Sequence, residues 1–116
     1  MDNYEEDSMQ NTWMTHLPHF LNEQGHIPND LPAPALRLVK AICNFITYAT
    51  HFDSEENELP QCFVMIKRKR CVGKVMPLIS LDDDTINWYC QSCGSRGLIS
   101  GWRHTLWDLS ECHELH

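Results

Sequence analysis

The most constraining feature of this sequence is a pair of cysteines separated by two residues, Cys90 and Cys93, with Gly94 directly after them. A tight turn of this kind points both thiolates at one place, and its backbone N–H groups can donate to the sulfurs. Glycine can take the positive φ that closes the turn. The sequence therefore predicts that this turn supplies two ligands of a four-ligand metal site.

Two further cysteines upstream complete a set of four. Cys62 and Cys71 have eight residues between them, and eighteen residues separate Cys71 from Cys90. The second spacing is typical of a zinc ribbon, in which a β-hairpin joins two ligand pairs. We therefore predict one structural, tetrahedral Zn²⁺ site ligated by Cys62, Cys71, Cys90 and Cys93.

Composition favours a metal over disulfide bonds. The chain has 116 residues, six cysteines and a net charge of −7. The acidic N-terminus has no basic region followed by an apolar one, and no apolar run approaches the roughly 18 residues of a membrane-spanning helix. We expect a cytoplasmic protein with no membrane partner, in which cysteines stay reduced and disulfides are the less favoured alternative.

The chain divides into four segments. Residues 1–12 are acidic with little to bury, which predicts a disordered tail. Residues 13–60 form a helical segment, and its main helix covers about 34–52, where apolar residues recur at three- and four-residue steps. Residues 61–110 form the zinc ribbon, and residues 111–116 form a polar tail. Cys43 lies near the apolar stripe of the helix, so we interpret it as a small core residue.

The ribbon segment shows strand periodicity. Alternating residues over 74–81 predict a first strand, and Pro77 predicts that it lies at a sheet edge. Residues 82–84 predict a turn, while residues 85–89 and 97–102 predict the second and third strands. The expected fold class is α+β: one amphipathic helix and an irregular N-terminal segment packed on a small three-stranded antiparallel zinc-ribbon sheet.

One basic run stands out in this acidic chain, and it consists of Lys67, Arg68, Lys69 and Arg70. These cations either offset the charge of four thiolates around Zn²⁺ or form a phosphate-binding patch. In the second case, exposed Trp88, Tyr89 or Trp102 would stack on bases. For Trp102 we favour packing against the helix over such a surface role.

The chain also carries a series of ordered motifs, among them Cys62-x8-Cys71-x-Gly73, Trp88-x-Cys90-x2-Cys93-Gly94 and Ile99-Ser-Gly-Trp102-x2-Thr105-x-Trp107-Asp108-Leu109. With these motifs, the chain from about Phe20 onwards resembles a group of small uncharacterised bacterial proteins. The resemblance implies a shared fold and a shared metal site. The segment between the first two cysteines departs from that group, where it is usually richer in Arg and Pro.

A closed four-sulfur site leaves no position for water or substrate. No nucleophile elbow, phosphate loop or His-Glu-x-x-His helix occurs in the sequence either. The leading hypothesis is therefore a non-enzymatic interaction module or adaptor that recognises a protein or a nucleic acid through the ribbon. The alternative is a redox protein or zinc-dependent enzyme that uses Cys90 and Cys93, although a redox pair is expected to open a helix.

Overall fold

The structure, a computed structural model, describes residues 12–51 and 58–110. Its elements in chain order are β1 (Thr12–His16), a 3-10 turn (Leu17–Phe20), α1 (Ala33–Thr50), β2 (Met65–Ile66), β3 (Lys69–Arg70), β4 (Leu78–Ser80), β5 (Thr85–Tyr89) and β6 (Arg96–Ser100). No helix in these two ranges combines the length and apolar character needed to cross a membrane. The predicted tails lie outside the described residues, apart from Thr12, which begins β1.

The main sheet has four strands in the order β1-β6-β5-β4. β5 runs antiparallel to both β4 and β6, whereas β1 runs parallel to β6, with Thr12 opposite Arg96 and His16 opposite Ser100. β2 and β3 form a separate antiparallel hairpin. The predicted α+β class is confirmed, but the three-stranded antiparallel sheet needs correction, because the sheet is mixed and has a fourth strand.

The fourth strand comes from the segment that was expected to be irregular. Trp13 is half-buried and Thr15 is buried, while Met14 between them is 72 % exposed. An outward methionine and an inward threonine break the apolar–polar alternation by which a strand is recognised. The pairing with β6 joins residues more than eighty positions apart, so no local pattern indicates it.

The predicted first ribbon strand is shorter in the structure. Pro77 is buried and has no N–H group to donate to a ladder, so regular pairing begins at Leu78. Before it, Val75 pairs with Cys90 as an isolated bridge. The edge position predicted from Pro77 is confirmed, since β4 is the last strand of the sheet.

The single helix of the described residues matches its predicted stripe. α1 spans Ala33–Thr50, and a proline lies in its first turn. Its fully buried apolar side chains are Val39, Ile42, Phe45 and Ile46. Lys40 and Asn44 on the opposite side are exposed. The helix therefore covers the sheet with one face and leaves a polar face in solvent.

An aromatic cluster joins the helix to the ribbon. The Phe45 ring on α1 lies 5.2 Å from the Trp88 ring on β5, centroid to centroid. Phe63, directly after Cys62, lies 5.5 Å from Trp88 and 5.1 Å from Trp13. Because these rings come from the helix, the sheet and the segment that follows Cys62, the two halves of the described chain share one hydrophobic core.

Candidate metal centre and basic surface

The four cysteines predicted as ligands lie together in the structure. The sulfur atoms of Cys62, Cys71, Cys90 and Cys93 are all within 4.8 Å of one another. Cys62 Sγ is 3.8 Å from Cys93 Sγ, and Cys71 Sγ is 3.7 Å from Cys90 Sγ. A tetrahedron with metal–sulfur bonds of about 2.3 Å has sulfur–sulfur edges of about 3.8 Å, whereas a disulfide needs about 2.05 Å. The geometry therefore fits a tetrahedrally bound metal ion.

The first cysteine pair is held by the base of the β2–β3 hairpin. The Cys71 N–H donates to the Val64 carbonyl at 2.8 Å, and the Cys62 N–H donates to the Gly73 carbonyl at 2.9 Å. The Gly73 N–H lies 3.3 Å from Cys71 Sγ and donates to it. Backbone N–H groups that point at a sulfur favour its thiolate form, which is the form that binds metal.

The second pair lies in the turn between β5 and β6. The Cys90 N–H donates to the Ser95 carbonyl, and the Gly94 N–H donates to the Cys90 carbonyl, both at 2.9 Å. Gly94 has a φ of 79°, which confirms the predicted left-handed conformation that closes the turn.

Gly73 lets the two turns approach each other. A Cβ atom at this position would lie 2.9 Å from Cys90 Sγ and would overlap the side chain of Ser92. The Val75–Cys90 bridge, two residues further on, fixes the same approach. Gly73 entered the sequence analysis only as part of the resemblance. The signal that points to it is a glycine two residues after a ligand cysteine.

The protein environment affects the four thiols unequally. Cys62 and Cys90 are fully buried, and burial raises the pKa of Cys62 far above its ordinary value. Burial is also the main cause that raises the pKa of Cys71. For Cys93, burial raises the pKa too, but hydrogen bonds from Ser95 and from the neighbouring thiols outweigh it and leave the pKa at about 7. Of these three thiols, that of Cys93 therefore ionises most readily.

Ser95 is a supporting residue that the sequence analysis missed. Its side chain is buried, and its hydroxyl lies 3.2 Å from Cys93 Sγ. A hydroxyl at this distance can donate to the thiolate and orient it. Its position two residues after the second cysteine of a Cys-x-x-Cys turn is the only sequence signal that would have indicated this role.

Among the described residues, Cys43 is the one cysteine outside the cluster. Cys43 is buried in α1, and burial raises its pKa to about 12, so its thiol stays protonated. This confirms its predicted place as a core residue. Cys112 lies outside the described residues.

The basic run forms the tip and the returning strand of the β2–β3 hairpin. Lys67 and Arg68 occupy the turn with φ values of 52° and 72°, and all four cations of the run are exposed. Arg70 is the nearest of them in sequence to a ligand cysteine, and its guanidinium Nε donates to the Cys62 carbonyl at 3.4 Å. The hairpin thus projects from the metal cluster with its charges in solvent.

The aromatic residues considered as base-stacking partners are placed differently. Trp88 and Trp102 are buried in the core, and the Trp102 indole N–H donates to the Asp84 carbonyl at 3.0 Å. This corrects the assignment of Trp102 to a binding surface, because a buried indole cannot stack on a base. It agrees with the packing role that we favoured. Tyr89 is 47 % exposed, but it lines a cavity on the outer face of the sheet.

We compared the chain with known proteins. No family model, curated protein or solved structure matches it.

Proposed function

We propose that this protein is a non-enzymatic interaction module built around one structural zinc ion. Its ligands are the four cysteines that lie together, Cys62, Cys71, Cys90 and Cys93. The observation that supports the proposal is the cluster itself, in which two sulfur–sulfur separations of 3.7 and 3.8 Å match the edges of a tetrahedral site.

The donor set favours a structural role for the metal. Four thiolates fill the coordination shell of Zn²⁺ and leave no position for water or substrate. Two of the sulfurs, those of Cys62 and Cys90, belong to fully buried residues, which further limits access to the ion. When bound, zinc would supply folding free energy by linking the two cysteine turns. Because the ligands must stay reduced, the proposal fits a cytoplasmic location.

The surface proposed for recognition is the ribbon, and in particular its hairpin. Four consecutive exposed cations project from a segment whose ends are Cys62 and Cys71. A hairpin of two-residue strands is marginal by itself, so the metal would hold it in place. The partner is a protein or a nucleic acid that carries complementary negative charge.

One observation favours a second candidate, a redox dithiol. Hydrogen bonds to Cys93 leave its pKa at about 7, as in a reactive cysteine. However, Cys90 and Cys93 lie in a turn between two strands rather than at the start of a helix. Cys93 Sγ also lies 3.8 Å from Cys62 Sγ, as a shared metal ion requires.

Metal analysis of purified protein tests the proposal. We expect one zinc per chain in the wild type and in Cys43→Ala, whose thiol lies in the core, and loss of zinc in Cys93→Ser. Wild-type protein without metal, in which two thiols react and reoxidise together, would instead establish the redox dithiol. Iron in place of zinc would show that the metal is misassigned.

A further inference from the structure

A groove of about 470 Å³ lies between α1 and the ribbon. Its polar lining consists of Arg37, Lys40 and Asn44 from the helix, together with Gln61 and Arg70. These last two residues directly precede Cys62 and Cys71. We propose that this helix–hairpin groove binds the phosphodiester backbone of a nucleic acid without regard to base sequence. The inference deepens the proposed function and rests on it, since it names the partner that the ribbon recognises.

The positive charge of the protein is concentrated around this groove. The chain has nine Lys and Arg residues, and only Arg96 and Arg103 lie outside α1 and the segment from Lys67 to Lys74. Three of the others line the groove. Lys74 pairs with Gln61 in an antiparallel bridge, and residues paired in this way project to the same side. A protein with a net charge of −7 therefore has one locally basic surface.

These cations have no carboxylate partner among residues 12–51 and 58–110. The ion pair found there joins Arg103 to Asp84, away from the groove, at 2.7 Å. Of the residues that the structure describes, no Asp or Glu lines the groove. Glu58 lines a neighbouring cavity together with Asn44, so the basic surface ends at that asparagine. Within the described residues, these charges therefore have no carboxylate partner that would compete with an external anion.

The side-chain types favour phosphate over a carboxylate-rich partner. Arg, Lys, Asn and Gln are the side chains that contact phosphate oxygens in nucleic-acid complexes. The cations also continue from the groove to the hairpin tip at Lys67, three residues before Arg70, which is at most about 10 Å of chain. A single phosphate group is too short for such a strip, whereas successive phosphates of one backbone match it.

The lining also explains why we expect no sequence preference. No aromatic side chain of the described chain lines the groove, and Trp88 and Trp102 are buried. Base stacking, which usually accompanies single-strand recognition, is therefore not available at this surface. Phosphate contacts alone position a nucleic acid but do not read its bases.

The metal cluster and the groove are coupled through the chain. Gln61 directly precedes Cys62, and Arg70 directly precedes Cys71. Arg70 also donates to the Cys62 carbonyl at 3.4 Å. If zinc fixes the two cysteines, it fixes one wall of the groove as well. We therefore expect nucleic-acid binding to require the metal.

Fluorescence anisotropy with labelled oligonucleotides of about 20 nucleotides tests the inference. Single-stranded DNA, single-stranded RNA and duplex DNA, each in two unrelated sequences, distinguish the kinds of backbone. With about four phosphates contacted, we expect roughly 100-fold weaker binding at 200 mM than at 50 mM salt. The two sequences of each kind should bind within about twofold of each other.

A matched pair of charge reversals locates the site. Lys40→Glu and Arg96→Glu change the net charge equally, and both residues are exposed, but only Lys40 lines the groove. Loss of one phosphate contact should weaken binding about tenfold at 50 mM salt for Lys40→Glu. Arg96→Glu should change it less than about threefold. Equal loss in both variants would overturn the groove as the site.

Two further results would also overturn the inference. One is zinc-loaded wild-type protein that binds no oligonucleotide at micromolar concentration in 50 mM salt. The other is poly-glutamate of matched charge that binds as tightly as the oligonucleotide, which would identify an acidic protein as the partner. In both cases the zinc content is intact, so the proposed module survives. Failure of the proposed zinc module itself would appear as purified wild-type protein that contains no zinc.

Discussion

At the scale of single residues, small side chains decide the geometry of the metal centre. Gly73 admits the second cysteine turn because it has no Cβ, and Gly94 closes that turn with its positive φ. Ser95 supplies a buried hydroxyl to Cys93. None of the three is a ligand, yet each fixes the position of a sulfur atom. The metal site is therefore larger than its four cysteines.

Gly73→Ala should weaken metal binding. The new methyl group would overlap Ser92 and lie 2.9 Å from Cys90 Sγ, which forces the two turns apart. Competition with a chromophoric zinc chelator should show a loss of affinity of roughly tenfold or more, as for other changes in the surroundings of metal ligands. Gly25→Ala is the control, because Gly25 has a φ of 82° but open space around it. It should cost about 1–2 kcal/mol of stability and leave zinc affinity unchanged.

Asp108→Asn should destabilise the C-terminal turn. Asp108 is buried, and its carboxylate accepts the N–H groups of His104 at 2.8 Å and Ser110 at 3.0 Å. Burial raises the pKa of this carboxyl, but the hydrogen bonds from Ser110 and His104 outweigh it and hold the pKa below its ordinary value. Loss of the charged acceptor should cost about 1.5–3 kcal/mol in urea unfolding at pH 7.

The direction of the pKa shift of Asp108 determines how the stability deficit of Asp108→Asn depends on pH. A carboxyl with a lowered folded pKa stabilises the fold above its unfolded pKa of about 3.9, and this contribution is lost only as pH falls through the folded value. The deficit should therefore stay constant between pH 8 and pH 5. A deficit that shrinks within this range would contradict the assignment. Asp82→Asn, in the exposed β4–β5 turn, is the control and should change stability by less than about 0.5 kcal/mol.

At the scale of elements, α1 has two functional faces. Its apolar face covers the sheet through Phe45 and Ile42, while Arg37 and Lys40 on its polar face line the groove beside the hairpin.

The β2–β3 hairpin faces a different constraint, because its two turn residues both have positive φ. Such turns usually contain Asn or Gly, so Lys67 and Arg68 are unfavourable choices for backbone conformation. They place two positive charges at the hairpin tip at a cost in backbone conformation.

Phe45→Ala tests whether the apolar face of α1 belongs to the core. The Phe45 ring is fully buried and lies 5.2 Å from the Trp88 ring, so its removal leaves a cavity at the centre of the fold. We expect a loss of about 3–5 kcal/mol in the free energy of unfolding. Asn44→Ala, one residue earlier and exposed, should change stability by less than about 0.5 kcal/mol. An unchanged midpoint in Phe45→Ala would show that this face is an interface instead.

At the scale of the whole molecule, the four-cysteine cluster is part of the hydrophobic core. Cys62 and Cys90 are buried with Phe63 and Trp88, and Trp88 in turn contacts the helix through Phe45. The helix and the ribbon are therefore not independent in the described chain. If this cluster holds zinc as proposed, a domain of this size should have little surplus stability without it.

Chelation of the metal should consequently loosen the helical half as well as the ribbon. Addition of excess EDTA to zinc-loaded protein should remove the near-ultraviolet circular dichroism of the packed tryptophans and lower the thermal midpoint by more than about 10 °C. Addition of zinc should restore both. Retention of the full tryptophan signal after complete metal removal would show that the core folds independently of the cluster.

Features that depend on residues close together along the chain could be predicted from the amino-acid sequence. The spacing of Cys62, Cys71, Cys90 and Cys93 grouped four sulfurs that the structure brings together. The three- and four-residue repeat predicted a helix over about 34–52, and α1 spans Ala33–Thr50. Each predicted end therefore lies within two residues of the observed one. Pro77 has no N–H group to donate to a ladder, which predicted that β4 lies at an edge of the sheet, as it does. Local spacing suffices in these cases because backbone geometry converts it directly into a shared face or a shared point.

Features that join distant segments of the chain could not be predicted in this way and became visible with the three-dimensional structure. The parallel pairing of β1 with β6 rests on backbone hydrogen bonds that every sequence can make, and the exposed Met14 hides the strand pattern. The same holds for Trp102, whose burial depends on the distant Asp84 carbonyl. The groove gathers side chains from α1 and from the positions directly before Cys62 and Cys71. Such positions follow from packing of the complete core, which no single stretch of sequence specifies.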